Sequence, residues 1–161
     1  MKILLIQTGG SIDKDYPQTK LGYAFVITDS AALRVFEKIN PSFEYEFLPL
    51  FKKDSLLITN EDRMELYQVC KNAMAEKIII THGTDTMIET AELLSDIKNK
   101  AIIITGAFRP EQFKNSDADF NIGVAIGALN LLKEGVYIAM NGCVFSYDEV
   151  SRDENGKFIE K

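Results

Sequence analysis

The chain has one histidine and two cysteines in 161 residues, and both scarcities exclude chemistry. A His-x-x-x-His zinc motif cannot be built from His82 alone, and any Ser-His-Asp triad would have to use it. Cys70 and Cys143 lie far apart with no Cys-x-x-Cys spacing, so the expectation is two free thiols in a cytoplasmic protein. Basic residues are also in deficit: Lys plus Arg is 18 against 24 for Asp plus Glu, a net charge of −6. An acidic chain without a basic stretch fits a phosphate backbone poorly, so nucleic acid is not expected as a direct partner. No apolar run approaches the roughly 20 residues of a membrane span. The short run Ile3-Leu4-Leu5-Ile6 also falls below the roughly 7–15 apolar residues of a signal-peptide core. Internal repeats, low-complexity tracts and both glycine-rich nucleotide loops, G-x-x-x-x-G-K-S/T and G-x-G-x-x-G, are missing too.

What is present is ordinary globular composition, 46% hydrophobic and 26% charged, at a length that suits one domain spanning residues 1–161. Short β-branched runs alternate with amphipathic segments. Lys2–Gln7, Phe43–Leu48, Lys77–Thr81, Ala101–Thr105 and Val136–Met140 read as strands, and three are nearly continuous Ile, Leu or Val, as in strands covered on both faces. Thr59-Asn60-Glu61-Asp62 opens a helix with Met64, Leu66, Tyr67, Cys70, Ala73 and Met74 on its apolar side. Thr86-Met87-Ile88-Glu89 reads as a capping box, and Ser116-Asp117-Ala118-Asp119 opens a third helix. Ser30–Ile39 is a weaker fourth. The β-α alternation predicts an α/β fold with a mostly parallel sheet flanked by helices, a Rossmann-like three-layer α/β/α arrangement. Past Asn141 the pattern fades into a polar tail.

Ligands of such folds sit at the carboxyl ends of the strands, and there the glycines and reactive side chains collect. Thr8-Gly9-Gly10-Ser11 follows the first strand, Lys53-Asp54-Ser55 the second, Thr81-His82-Gly83-Thr84-Asp85-Thr86 the third and Thr105-Gly106-Ala107-Phe108-Arg109-Pro110 the fourth. Glycines allow close backbone approach, and the hydroxyls donate, accept or attack. A threonine beside an aspartate suits a proton relay or recognition of an amino group. His82 reads as a packed loop residue rather than a base, and Arg109 as a residue that ties down its own loop.

Gln7-Thr8-Gly9-Gly10-Ser11-Ile12, the run from Ile80 to Ala91, and Thr105–Pro110 together resemble the bacterial asparaginase/glutaminase family. The match continues through Asp117, Asn121 and Met140-Asn141. It corresponds to the amino-terminal domain of that family, so a short form without the smaller second domain is expected. The resemblance implies an amidohydrolase that releases ammonia from the side-chain amide of L-asparagine, or a related small amide, through a threonine nucleophile and without metal or cofactor. It assigns Thr8 as nucleophile and Tyr23, or alternatively Tyr16, as the lid tyrosine that activates it. Thr84 and Asp85 match the second threonine and the aspartate. Substrate binding falls to Gly9, Ser55, Gly83 and Asp85, with Ser55 holding the α-carboxylate. It also implies a homo-oligomer, a dimer or tetramer.

The family's lysine falls at Arg152 here, with Lys157 five residues on. Arginine keeps its proton above pH ~12, so Arg152 can orient Asp85 or Thr84 but cannot act as the base. Leu56 and Leu57 stand where the family has polar groups that meet the substrate. The alternative to an enzyme is therefore a non-catalytic module that binds a small amino acid and keeps the asparaginase fold.

Overall fold

Side chains of successive residues in a strand point to opposite faces, and the first strand shows what this does here. In the computed structural model, which describes residues 1–161, Leu4 and Ile6 enter one hydrophobic layer while Ile3 and Leu5 enter another. Strand β1 (Lys2–Gly9) is followed by a hairpin arm of four two-residue strands: β2 (Lys14–Asp15), β3 (Gln18–Thr19), β4 (Gly22–Tyr23) and β5 (Val26–Ile27). The chain then runs through α1 (Ala31–Ile39), β6 (Glu44–Lys53), α2 (Asn60–Asn72), β7 (Lys77–Thr81), α3 (Met87–Leu94) and β8 (Ala101–Thr105). It closes with α4 (Ala118–Leu131), β9 (Gly135–Met140), β10 (Cys143–Ser146), β11 (Val150–Arg152) and β12 (Phe158–Glu160).

The main sheet has the order β10-β9-β8-β7-β1-β6, parallel except for β10. Helices α2 and α3 cover the face that carries Leu4, Ile6, Ile78, Ile80, Ile102 and Ile104. Helices α1 and α4 cover the face of Ile3, Leu5, Ile79 and Ile103. The expected three-layer architecture is thus present. The edge strand β6 carries Pro49, which lacks the N–H that an added strand would pair with.

Three expectations from the sequence are corrected. Thr86 does not cap α3 with its side chain; its hydroxyl donates to the Ser55 carbonyl, 2.9 Å away. The capping box is instead at α2, where Thr59 accepts from the Asp62 N–H and Asp62 accepts from the Thr59 N–H. On α2 only part of the predicted stripe is buried: Leu66 and Cys70 are inside, whereas Met64 and Met74 face solvent. The polar tail is structured, because β10 extends the sheet and β11 pairs with β12.

Helices antiparallel to the strands end at the amino edge of the sheet, and two lysines hold those ends. Lys100 Nζ donates to the carbonyls of Ala73 (2.6 Å) and Ala75 (3.1 Å) past α2. Lys77 Nζ donates to Leu129 (2.9 Å) and Leu132 at the end of α4. A lysine there satisfies orphan carbonyls and meets the negative end of the helix dipole. Lys100→Met is expected to lower stability by about 1–2 kcal/mol, read as a lower urea midpoint with an unchanged slope.

Candidate active site

Three loops meet at the carboxyl edge because glycine lets backbones touch. The Thr8-Gly9-Gly10 turn leaves β1 with Gly10 at φ 87°, and a Cβ at Gly10 would lie 2.3 Å from the Gly83 nitrogen. A Cβ at Gly83 would lie 2.6 Å from Ser55 Oγ. The loop after β1 therefore packs on the loop after β7, and that loop packs on the turn that follows β6. Thr8 Oγ1 donates to the Thr81 carbonyl at 2.7 Å, across the β1–β7 pairing, and the residue is fully buried. Ser55 is buried as well, and its Oγ has no partner within the protein.

Thr84 and Asp85 lie beside this cluster at the start of α3. Neither Gly83 nor Thr84 gives its N–H to another group of the protein, so two backbone donors stand free at the positive end of that helix. Arg152 reaches the same loop from β11. Its Nη1 lies 3.3 Å from both the Thr84 carbonyl and Asp85 Oδ1. Its Nε donates to the Gly156 carbonyl at 2.9 Å, and its guanidinium lies 5.4 Å from the centre of the Phe158 ring. The turn from Arg152 to Phe158 is in turn held by Asn141 Oδ1, which accepts from the Phe158 N–H at 3.0 Å. Gly156, Phe158 and Asn141 thus form a bracket for Arg152 that the sequence pattern alone did not assign. The signal was present: Asp153-Glu154-Asn155-Gly156 is hairpin-turn chemistry between two short extended runs. Lys157 lies in this turn, and its N–H donates to Asp153 rather than to the Thr84 loop.

Tyr23 stands apart. It sits near the tip of the hairpin arm, about two-thirds exposed, stacked on Tyr16 with ring centroids 5.8 Å apart, and makes no hydrogen bond to Thr8. The arm is fixed at its base. Thr28 gives both its N–H and its hydroxyl to the Asp13 carbonyl, and Lys14 pairs with Asp54 at 2.8 Å. The Asp13 carboxylate accepts from the Ala31 N–H at 2.8 Å and from Gln7 Nε2 at 3.0 Å. Burial outweighs these bonds and pushes its pKa up to about 6.

His82 is fully buried and satisfied on both nitrogens. Arg63 Nε donates to Thr90 Oγ1 at 3.2 Å, which leaves the Thr90 hydroxyl proton for His82 Nε2 at 2.9 Å. Nδ1–H is then the donor to the Gly83 carbonyl at 2.7 Å. Burial, with Arg63 nearby, lowers its pKa to about 4, so the ring is neutral and structural. Arg109 donates to the Lys114 carbonyl and ties down its own loop, as its position suggested.

The largest cleft, about 630 Å³, lies elsewhere, on the α1 side of the sheet, and none of its lining residues is Thr8, Ser55, Thr84 or Asp85. The convergence of loops marks the site rather than cleft size, since Thr8 and Ser55 are sealed by the packing of their own backbones.

Residues 2–158 match the family described as asparaginase, N-terminal. The protein belongs to the asparaginase family. An L-asparaginase of Thermococcus kodakarensis is 30% identical over 158 residues, covering 94% of this chain and 48% of that protein. A glutaminase-asparaginase of Acinetobacter glutaminasificans is 26% identical, covering 95% and 50%. The solved structure of the thermostable L-asparaginase from Thermococcus kodakarensis superposes with a TM-score of 0.86 at 26% identity over 99% of this chain and 51% of that one. This asparaginase-family protein therefore spans about half the length of the curated relatives it matches.

Proposed function

We propose that the protein is an asparaginase-type amidohydrolase that hydrolyses the side-chain amide of L-asparagine or a related small amide. The observation that carries this reading is the interlock of the Thr8-Gly9-Gly10 turn with the Gly83-Thr84-Asp85 loop under Ser55, in a member of this family. In the proposed reaction Thr8 Oγ attacks the amide carbon, and the oxyanion is met by the free N–H groups of Gly83 and Thr84. The C–N bond breaks, ammonia leaves with the proton taken from Thr8, and water hydrolyses the resulting threonine ester. Ser55 Oγ donates to the substrate carboxylate. Arg152 holds Asp85 and the Thr84 carbonyl in place without exchanging a proton. Closure of the hairpin arm brings Tyr23, or its stacking partner Tyr16, toward Thr8 as the activating phenol. No metal or cofactor is part of this scheme. Self-association and a cytoplasmic location belong to the same reading; a sedimentation mass well above 18.1 kDa is expected.

The test is ammonia release from purified protein with L-asparagine and L-glutamine beside a Thr8→Ala control. Release that falls about 10³-fold or more in the variant is the expected result. A folded wild-type protein that releases none from either amide overturns the reading.

A further inference from the structure

The carboxylates around this site are already occupied. Asp54, at the start of the Ser55–Leu57 turn, pairs with Lys14 at 2.8 Å. Asp62, in the first turn of α2, pairs with Lys53 at 2.7 Å. Asp85 pairs with Arg152 at 3.3 Å. A free α-ammonium brought here would meet no unpaired acid on the elements that hold Ser55 and Thr84, and it would approach Arg152. Two exposed leucines follow the buried, unpartnered Ser55 hydroxyl directly, Leu56 at 71% and Leu57 at 69% exposure. The Ser55 turn is fastened to the reactive loop by the Thr86 hydroxyl on its carbonyl, so these leucines form the rim beside Asp85. The pattern is one polar donor for a carboxylate, no free acid for an amine, and an apolar shelf next to it.

Resting on the amidohydrolase reading, we propose that the substrate is an asparagine whose α-nitrogen is acylated, with the acyl group lying over Leu56 and Leu57. Acylation removes the positive charge, so no unpaired carboxylate is needed, and the added carbons cover apolar surface that an ammonium would leave wet. The reaction is unchanged in balance: the C–N bond of the amide breaks, ammonia leaves, water supplies the oxygen, and the product is the N-acyl aspartate. Such a group comes from two sources, a free N-acyl amino acid or a peptide that ends in asparagine.

The experiment compares kcat/KM for ammonia release from L-asparagine, N-acetyl-L-asparagine and an N-acetylated dipeptide ending in asparagine, with Thr8→Ala as the control. The expected result is a preference of about tenfold or more for at least one acylated compound over L-asparagine. A larger value for the dipeptide points to peptide ends, and a larger value for N-acetyl-L-asparagine to free acyl amino acids. Leu56→Asp places an unpaired acid on the rim and is expected to reverse the preference through KM rather than kcat. Equal or better turnover of L-asparagine by the wild type overturns the acyl proposal and leaves the amidohydrolase standing. No Thr8-dependent release from any of the three overturns both.

Discussion

Replacing Gly10 with alanine is expected to cost about 4 kcal/mol and to lower the melting temperature by roughly 10–15 °C. Two penalties act together. The backbone at Gly10 has φ 87° and ψ −178°, a region that only glycine occupies readily and that costs other residues about 1–3 kcal/mol. The added methyl would also sit 2.3 Å from the Gly83 nitrogen and 2.4 Å from its Cα. Both are backbone atoms on an interlocked loop, so relief requires the two turns to part. The matched control is Gly127→Ala on α4, where nothing lies within 4 Å of the new carbon. That change is expected to stabilise by about 0.5–1 kcal/mol through helix propensity. Thermal unfolding followed by circular dichroism separates the two. A Gly10→Ala protein that melts with the wild type would show that the loops are not held as described.

The second large effect is hidden in the wild type and revealed by variants. Asp13 has a pKa raised from 3.8 to about 6, so the native state takes up a proton in that window that the unfolded state does not. Stability from this group rises as pH falls from 6 toward 4, by about 3 kcal/mol in all at roughly 1.4 kcal/mol per pH unit. His82 is lowered from 6.5 to about 4, so here the unfolded state takes up the proton first. Stability from His82 falls as pH drops from 6.5 to 4, again by about 3 kcal/mol. The two slopes oppose each other over nearly the same range. The wild type is expected to show a flat stability profile between pH 6.5 and 4. Below that, acids held under their ordinary pKa, Asp54 and Asp62 by their lysines among the causes, lose their pairing and stability drops. Asp13→Asn should leave only the His82 slope, a protein that weakens on acidification. His82→Gln should leave only the Asp13 slope, a protein that strengthens. Denaturant midpoints at half-unit pH steps read both, and parallel profiles for the three proteins would refute the assignment.

The sheet was legible in the sequence because its strands are unbroken apolar runs. Ile78-Ile79-Ile80 and Ile102-Ile103-Ile104 have no reason to form except between two covered faces. The carboxyl-edge loops were legible because Thr-Gly-Gly and His-Gly-Thr-Asp concentrate residues that no core needs. Side-chain partnership was harder to read. Thr86 precedes an acidic residue at capping distance, yet its hydroxyl turns to Ser55, a partner 31 residues away that no local pattern reveals. Met64 and Met74 share the hydropathy of Leu66, but the helix surface they occupy meets no neighbouring layer. The bracket around Arg152 was hidden by composition: charged residues from Ser151 to Lys157 read as tail, while one phenylalanine, Phe158, buried to 1% exposure, anchors the turn. The hairpin arm escaped notice because two-residue strands carry too few positions to show alternation.

The lysine clamps at the amino edge give this molecule a polarity that bears on how it changes over generations. One end of the sheet is stitched to its helices by Lys77 and Lys100, whose bonds reach backbone carbonyls and so ask little of neighbouring side-chain identity. The other end carries loops seated by side-chain contacts and by glycine packing. Drift in the Leu56-Leu57 rim or in the residue at position 152 therefore leaves the clamped end untouched. New specificity can be sampled at one pole while the fold is kept by the other.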